Sequence, residues 1–100
     1  MANNKKTLTA AQETYVKRMA ENVELLRQAA GLSQWQFSEY VGMSRPSYSL
    51  VLKTKQLSWR NFLAWVFFFD NHAKTHDMLR ELNIYPEQFL KEIKADYDKE

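Results

Sequence analysis

Four cations with no acid among them are the first chemical feature of this chain. Arg45, Lys53, Lys55 and Arg60 are the only charged residues between positions 40 and 69, whereas residues 70–100 carry five basic and eight acidic side chains. A positive, acid-free stretch suits a phosphate backbone; the competing reading is a solvated basic face. Inside it lies "VGMSRPSY", residues 41–48, where a glycine stops one element and a serine starts another with an arginine and a proline in its first turn. An arginine there can pair bidentately with guanine, worth about 1–3 kcal/mol of discrimination. It also stands where the helix dipole disfavours a cation, which favours a functional role over a merely solvated one. Other chemistry is sparse. His72 and His76 have the spacing of two ligands on a helix, but no third ligand is clear and no glutamate stands between them in a metalloprotease arrangement. They read as surface histidines, and neither a metal nor a cofactor is expected. With no phosphate-cradling glycine loop, no paired carboxylates and no nucleophile–base arrangement, the chain does not read as an enzyme.

The elements that must position these residues are helices. The chain has 100 residues, the size of one domain, and its two glycines and two prolines are too few for a β-sandwich. No cysteine is present, which fits a reducing compartment and a cytoplasmic location. The N-terminal lysines are followed by no apolar run, so no secretory signal is read. The longest apolar run, Phe62–Phe69, has eight residues, against the roughly 20 a membrane helix needs, so no membrane partner is expected.

Thr9 to Gln12 and Ser33 to Gln36 fit capping boxes. The first opens a helix with Tyr15, Met19, Val23, Leu26 and Ala30 as its stripe, closed by Gly31. The second opens a short helix to Val41, with Phe37 and Val41 inward, stopped by Gly42. Ser44 caps a third helix with Pro46 in its first turn and Tyr48, Val51 and Leu52 inward. Ser58 caps a fourth, with Trp59, Phe62, Leu63, Val66 and Phe69 at helical spacing. Residues 74–82 predict a fifth helix, and Pro86 opens a sixth with Phe89, Leu90, Ile93 and Tyr97 inward. The glutamates and lysines of the first and sixth helices read as solvated faces. The fold class expected is an all-α, five- to six-helix compact bundle.

Two short helices joined by a tight glycine turn make a helix-turn-helix, whose second helix enters the DNA major groove. The stretch Leu25 to Lys53 resembles the Cro/CI-type (phage repressor) helix-turn-helix family. It carries Leu26-Arg27, Gly31-Leu32-Ser33-Gln34, Phe37, Val41-Gly42 and Ser44-Arg45, with both glycines on the family's glycine positions. With the fourth helix the resemblance covers roughly residues 18–70, and it implies a lambda repressor-like DNA-binding domain. By that resemblance Arg45, Pro46 and Ser49 would face bases. Gln34 would contact a phosphate and steady the recognition helix, with Ser33, Ser47 and Lys53 near the backbone. Lys55 and Arg60 join the phosphate-contacting set through the basic block. The chain departs from the family at three places. Leu50 stands where a polar base-reader is usual and would meet thymine methyls, Thr54 replaces a frequent glycine, and Ser38 replaces a small apolar residue.

The organisation expected is a basic N-terminal arm over 1–8, a helix-turn-helix core over 9–70 and a helical extension over 71–100. The primary function expected is a sequence-specific double-stranded DNA-binding regulator, a small repressor reading the major groove with helix 44–53. The alternative is a protein-interaction module on the same fold, antirepressor or antitoxin-like. The aromatics outnumber what a core of this size needs. Trp35, Tyr40, Trp65 and Phe67 either fold back on the terminal helices or form an exposed partner surface. A homodimer is expected, with Trp65, Phe67, Phe89, Ile93 and Tyr97 as its candidate surface.

Overall fold

Local capping chemistry decides where the helices begin. The computed structural model describes residues 8–91, and side chains cap four helix starts in it. Helix α1 (Ala10–Ala29) and helix α2 (Gln34–Tyr40) both open with full capping boxes, Thr9 with Gln12 and Ser33 with Gln36. Helix α3 (Arg45–Thr54) is capped by Ser44 and helix α4 (Trp59–Asp70) by Ser58. Helix α5 (His76–Glu81) has no side-chain cap, and it is shorter than the spacing predicts. Residues 87–91 are helical, just after Pro86. No strand occurs among the described residues. Gly31 and Gly42 end α1 and the α2 turn with φ of 76° and 69°, values an L side chain adopts only with strain.

The core is aromatic and shared by every helix. Phe37 of α2 stacks on Phe69 at 5.1 Å between ring centroids and meets Trp65 and Tyr48 edge-on at 5.3 and 5.6 Å. The buried face of α1 is Val16, Met19, Ala20, Val23 and Leu26, so the stripe is slightly rotated from the one predicted, and Tyr15 and Ala30 are only half-buried. Leu79 and Ile84 join the same cluster, so the segment 78–85 helps to close the core. Ser38, buried, donates its hydroxyl to the carbonyls of Gln34 and Trp35, which satisfies it where an apolar residue was expected. Two predicted core positions are exposed instead, Leu63 and Leu90.

A polar joint ties the first three helices together. The Glu24 carboxylate of α1 accepts two hydrogen bonds from Arg27, at 2.7 and 3.1 Å, one from Gln34 of α2 at 3.3 Å, and one from the Tyr48 hydroxyl of α3. Arg27 also donates to the Leu32 carbonyl before α2. The guanidinium of Arg27 is the main cause that holds the Glu24 carboxyl down at about 2, from an ordinary 4.5; desolvation opposes it, and Tyr48 and Gln34 reinforce it. Burial, with Glu24 beside it, pushes the Tyr48 hydroxyl up. Glu24 was expected on a solvated face; its partners come from two later helices.

A carboxyl depressed in the folded state adds stability above its unfolded pKa and loses it as pH falls toward the folded one. The Glu24 side chain is 35% exposed, so the full shift is discounted, to about 1–2 kcal/mol. Glu24→Gln is therefore expected to cost about 1–2 kcal/mol at pH 7. The gap to the unsubstituted protein should shrink by roughly half or more at pH 3. Urea unfolding of both proteins at the two pH values measures it; a gap independent of pH would remove Glu24 from this role.

Candidate nucleic-acid interface

Helix α3 sorts its side chains onto two faces. Tyr48 and Val51 are buried and Leu52 is half-buried, while Arg45, Pro46, Ser47, Ser49, Leu50 and Lys53 are exposed. Arg45, Ser49 and Lys53 follow one another four residues apart, and Pro46 and Leu50 lie on the neighbouring stripe at the same spacing. The residues read from sequence as base-facing thus share one open face. Leu50 is 58% exposed, an aliphatic side chain that the core does not use.

One acid approaches this face: Glu13 of α1 lines a pocket together with Leu50 and Lys55. None of Arg45, Lys53, Lys55 and Arg60 has an ion-pair partner among the described residues; the pairs present are Arg27 with Glu24, and His76 and Arg80 with Asp70. No acidic residue stands in the first turn of α3 or α4, although a carboxylate there would favour the helix dipole. Arg45 and Arg60 occupy those first turns instead. Such an arrangement lowers the stability of the isolated protein slightly and holds positive charge open to an anion.

The polar residues near the helix starts are partly committed. Ser33 accepts from the Gln36 amide at 3.0 Å, and Ser44 accepts from the Ser47 amide at 3.2 Å while donating to the Ser47 hydroxyl at 2.9 Å. Both Ser33 and Ser47 keep a hydroxyl proton to donate. Gln34 is half-buried and donates to Glu24, the acceptor that also takes Tyr48, so its amide links α2 to the joint beneath α3. The end of α3 differs from the sequence expectation. Thr54 stays in the helix and donates its hydroxyl to the Leu50 carbonyl, and the left-handed residue is Lys55, at φ 60°. A lysine thus holds a conformation that glycine adopts without strain.

The candidate dimer surface is redrawn. Trp65 is fully buried among Phe37 and Tyr48, with its indole N–H lacking a hydrogen-bond partner among the described residues, so it belongs to the core and to no surface. Phe89 is half-buried, packed edge-on against Tyr15 at 5.8 Å and Trp59 at 5.3 Å, and so closes its own chain's core. Ile93 and Tyr97 lie outside the described residues, as does nearly all of the basic arm. Of the surface predicted, Phe67 is open, 71% exposed. Trp35 and Tyr40 are also open, at 56% and 68%.

Sequence reasoning missed the joint of Glu24, Arg27, Gln34 and Tyr48. The i, i+3 spacing of Glu24 and Arg27 was its one local signal. His72 and His76 are engaged locally: His72 Nδ1 accepts from the Lys74 amide at 3.2 Å, and His76 Nδ1 lies 3.0 Å from Asp70. Among the described residues no three side chains group as metal ligands, and no helix is long and apolar enough to cross a membrane. No protein-family model, no curated protein and no solved structure matches this chain.

Proposed function

We propose that this protein is a sequence-specific double-stranded DNA-binding regulator in which α2, the turn at Gly42 and α3 act as a lambda repressor-like helix-turn-helix. The observation that carries the reading is the outward face of α3, which presents Arg45, Ser49, Leu50 and Lys53 together, within a stretch that holds no acid and four cations without an ion-pair partner among the described residues. Arg45 reads a base edge from the start of the helix. Ser49 and Leu50 meet the groove floor, Leu50 against thymine methyls. Lys53, Lys55 and Arg60 neutralise phosphates, with Ser33, Gln34 and Ser47 as hydrogen-bond donors to the backbone. The reading of the chain as a protein-interaction module draws support from the open rings of Trp35, Tyr40 and Phe67.

Binding to a duplex pool randomised over one site, followed at two salt concentrations, tests the proposal. If about four phosphates are neutralised per subunit, log K falls against log salt with a slope of roughly −3.6. A flat response would overturn it. Arg45→Ala should relax the preference at one base pair by about 1–3 kcal/mol, while Lys53→Ala weakens all sequences alike. Wild-type preference retained in Arg45→Ala would exclude this register of α3. Lys55→Gly separates stability from binding. Relieving the left-handed lysine should raise stability by roughly 0.5–1 kcal/mol and should reduce the salt slope by about 0.9. Thermal unfolding and the same binding titrations read both effects.

A further inference from the structure

Among the described residues three aromatic rings are open, Trp35, Tyr40 and Phe67, and they lie away from the face of α3. One groove, of about 440 Å³, runs between the end of α2 and α4 and is lined by Tyr40, Val41, Ala64, Phe67 and Phe68, among others. A second, of about 310 Å³, lies along α2 and includes Leu32, Trp35 and Tyr40. The two grooves share Tyr40, so Trp35, Tyr40 and Phe67 belong to one continuous surface. We infer that this aromatic face pairs with the same face of a second copy of the chain, forming a two-fold dimer.

Three features of the face select a second copy as its occupant. The first is shape. A two-fold interface must be complementary to itself, so one surface has to carry both projections and recesses. This one does: Tyr40 and Phe67 project, at 68% and 71% exposure, beside a groove they themselves help to line. A ring of one copy can enter the groove of the other, and the reverse follows by symmetry.

The second is area. Aromatic side chains carry roughly 150–250 Å² each, so at their exposures the three rings offer on the order of 400 Å² together. One side of a standard interface buries about 800 Å². The exposed Leu63 and Ala64 and the half-buried Phe68 and Leu32 extend the patch toward that size. A patch of about 400 Å² matches the largest that monomers leave open, and such patches are often functional.

The third is charge. Across the rest of the acid-free stretch a second copy would meet like charge, through Arg45, Lys53 and Lys55. The residues that line the two grooves include one carboxylate, Glu39, and one histidine, His72, and no lysine or arginine. A second copy therefore meets less like charge here than on the cationic stretch. Neither groove includes a residue of α3, so the pairing leaves the base-facing side chains open. The dimer does not depend on the DNA-binding proposal, because it forms without DNA.

Light scattering and sedimentation of the full chain, without DNA, over micromolar to millimolar concentration test the inference. The unsubstituted protein should be a dimer. Phe67→Glu and Tyr40→Glu should each raise the dissociation constant about 30-fold or more, the effect expected of a central aromatic anchor. The helical circular dichroism should not change, because both rings are exposed. Leu25→Glu, at a residue 51% exposed on α1 and lining neither groove, should remain dimeric. A wild-type monomer at millimolar concentration overturns the inference, and so does a dimer that survives both Phe67→Glu and Tyr40→Glu.

Discussion

One carboxylate holds α1, α2 and α3 in register. Glu24 receives Arg27 from its own helix, Gln34 from α2 and Tyr48 from α3. Such a group, only partly withdrawn from water, can remain ionised because its acceptor sites face donors. Its effect is directional. Apolar contacts alone would let two short helices of seven and ten residues slide or rotate at small cost. Hydrogen bonds from Gln34 and Tyr48 to one acceptor fix α2 and α3 against the same point on the longest helix. The outward face of α3 is therefore aimed by a contact on its inward side.

The aromatic cluster supplies the energy that the joint directs. Phe37 contacts rings from α3 and α4, and the cluster extends through Leu79 and Ile84 into the chain after α4. Burying large rings offsets the entropy of ordering short helices that would not form in isolation. It also tolerates a local cost. The Trp65 indole N–H has no partner among the described residues, a loss of about 1–3 kcal/mol by comparison with satisfied groups. Packing against Phe37 and Tyr48 outweighs it.

Features governed by neighbours in sequence were legible in advance, and features governed by distant partners were not. The caps at Thr9, Ser33, Ser44 and Ser58, and the left-handed turns at Gly31 and Gly42, depend on backbone groups within a few residues and are found as read. The open set on α3 follows from helical spacing alone. Trp65 was misassigned because an apolar run carries no phase: in "FLAWVFFF" every position is a candidate for the core, and only tertiary contacts choose Trp65 over Leu63 and Phe67. Glu24 escaped notice because its meaning lies in Gln34 and Tyr48, ten and 24 residues away. The left-handed position falls on Lys55, after Thr54, because α3 runs one residue beyond the helix 44–53 read from the sequence.

Two of the exposed surfaces of this protein differ in their chemistry. The face of α3 and the loop after it are cationic, and the DNA binding proposed for them would rest on long-range charge, which salt weakens. The face of α2 and α4 is aromatic and near neutral, and association through it would rest on apolar burial, which moderate salt leaves intact. Each is costly to the isolated fold in its own way: first-turn arginines oppose the helix dipoles, Lys55 is held left-handed, and three large rings remain in water. A chain selected only for stability would place carboxylates in those first turns, a glycine at 55 and polar side chains at 35, 40 and 67. Both departures are confined to surfaces, while the joint and the aromatic core beneath them keep their polar and apolar partners almost completely satisfied. The strain thus lies where contacts with other molecules can relieve it.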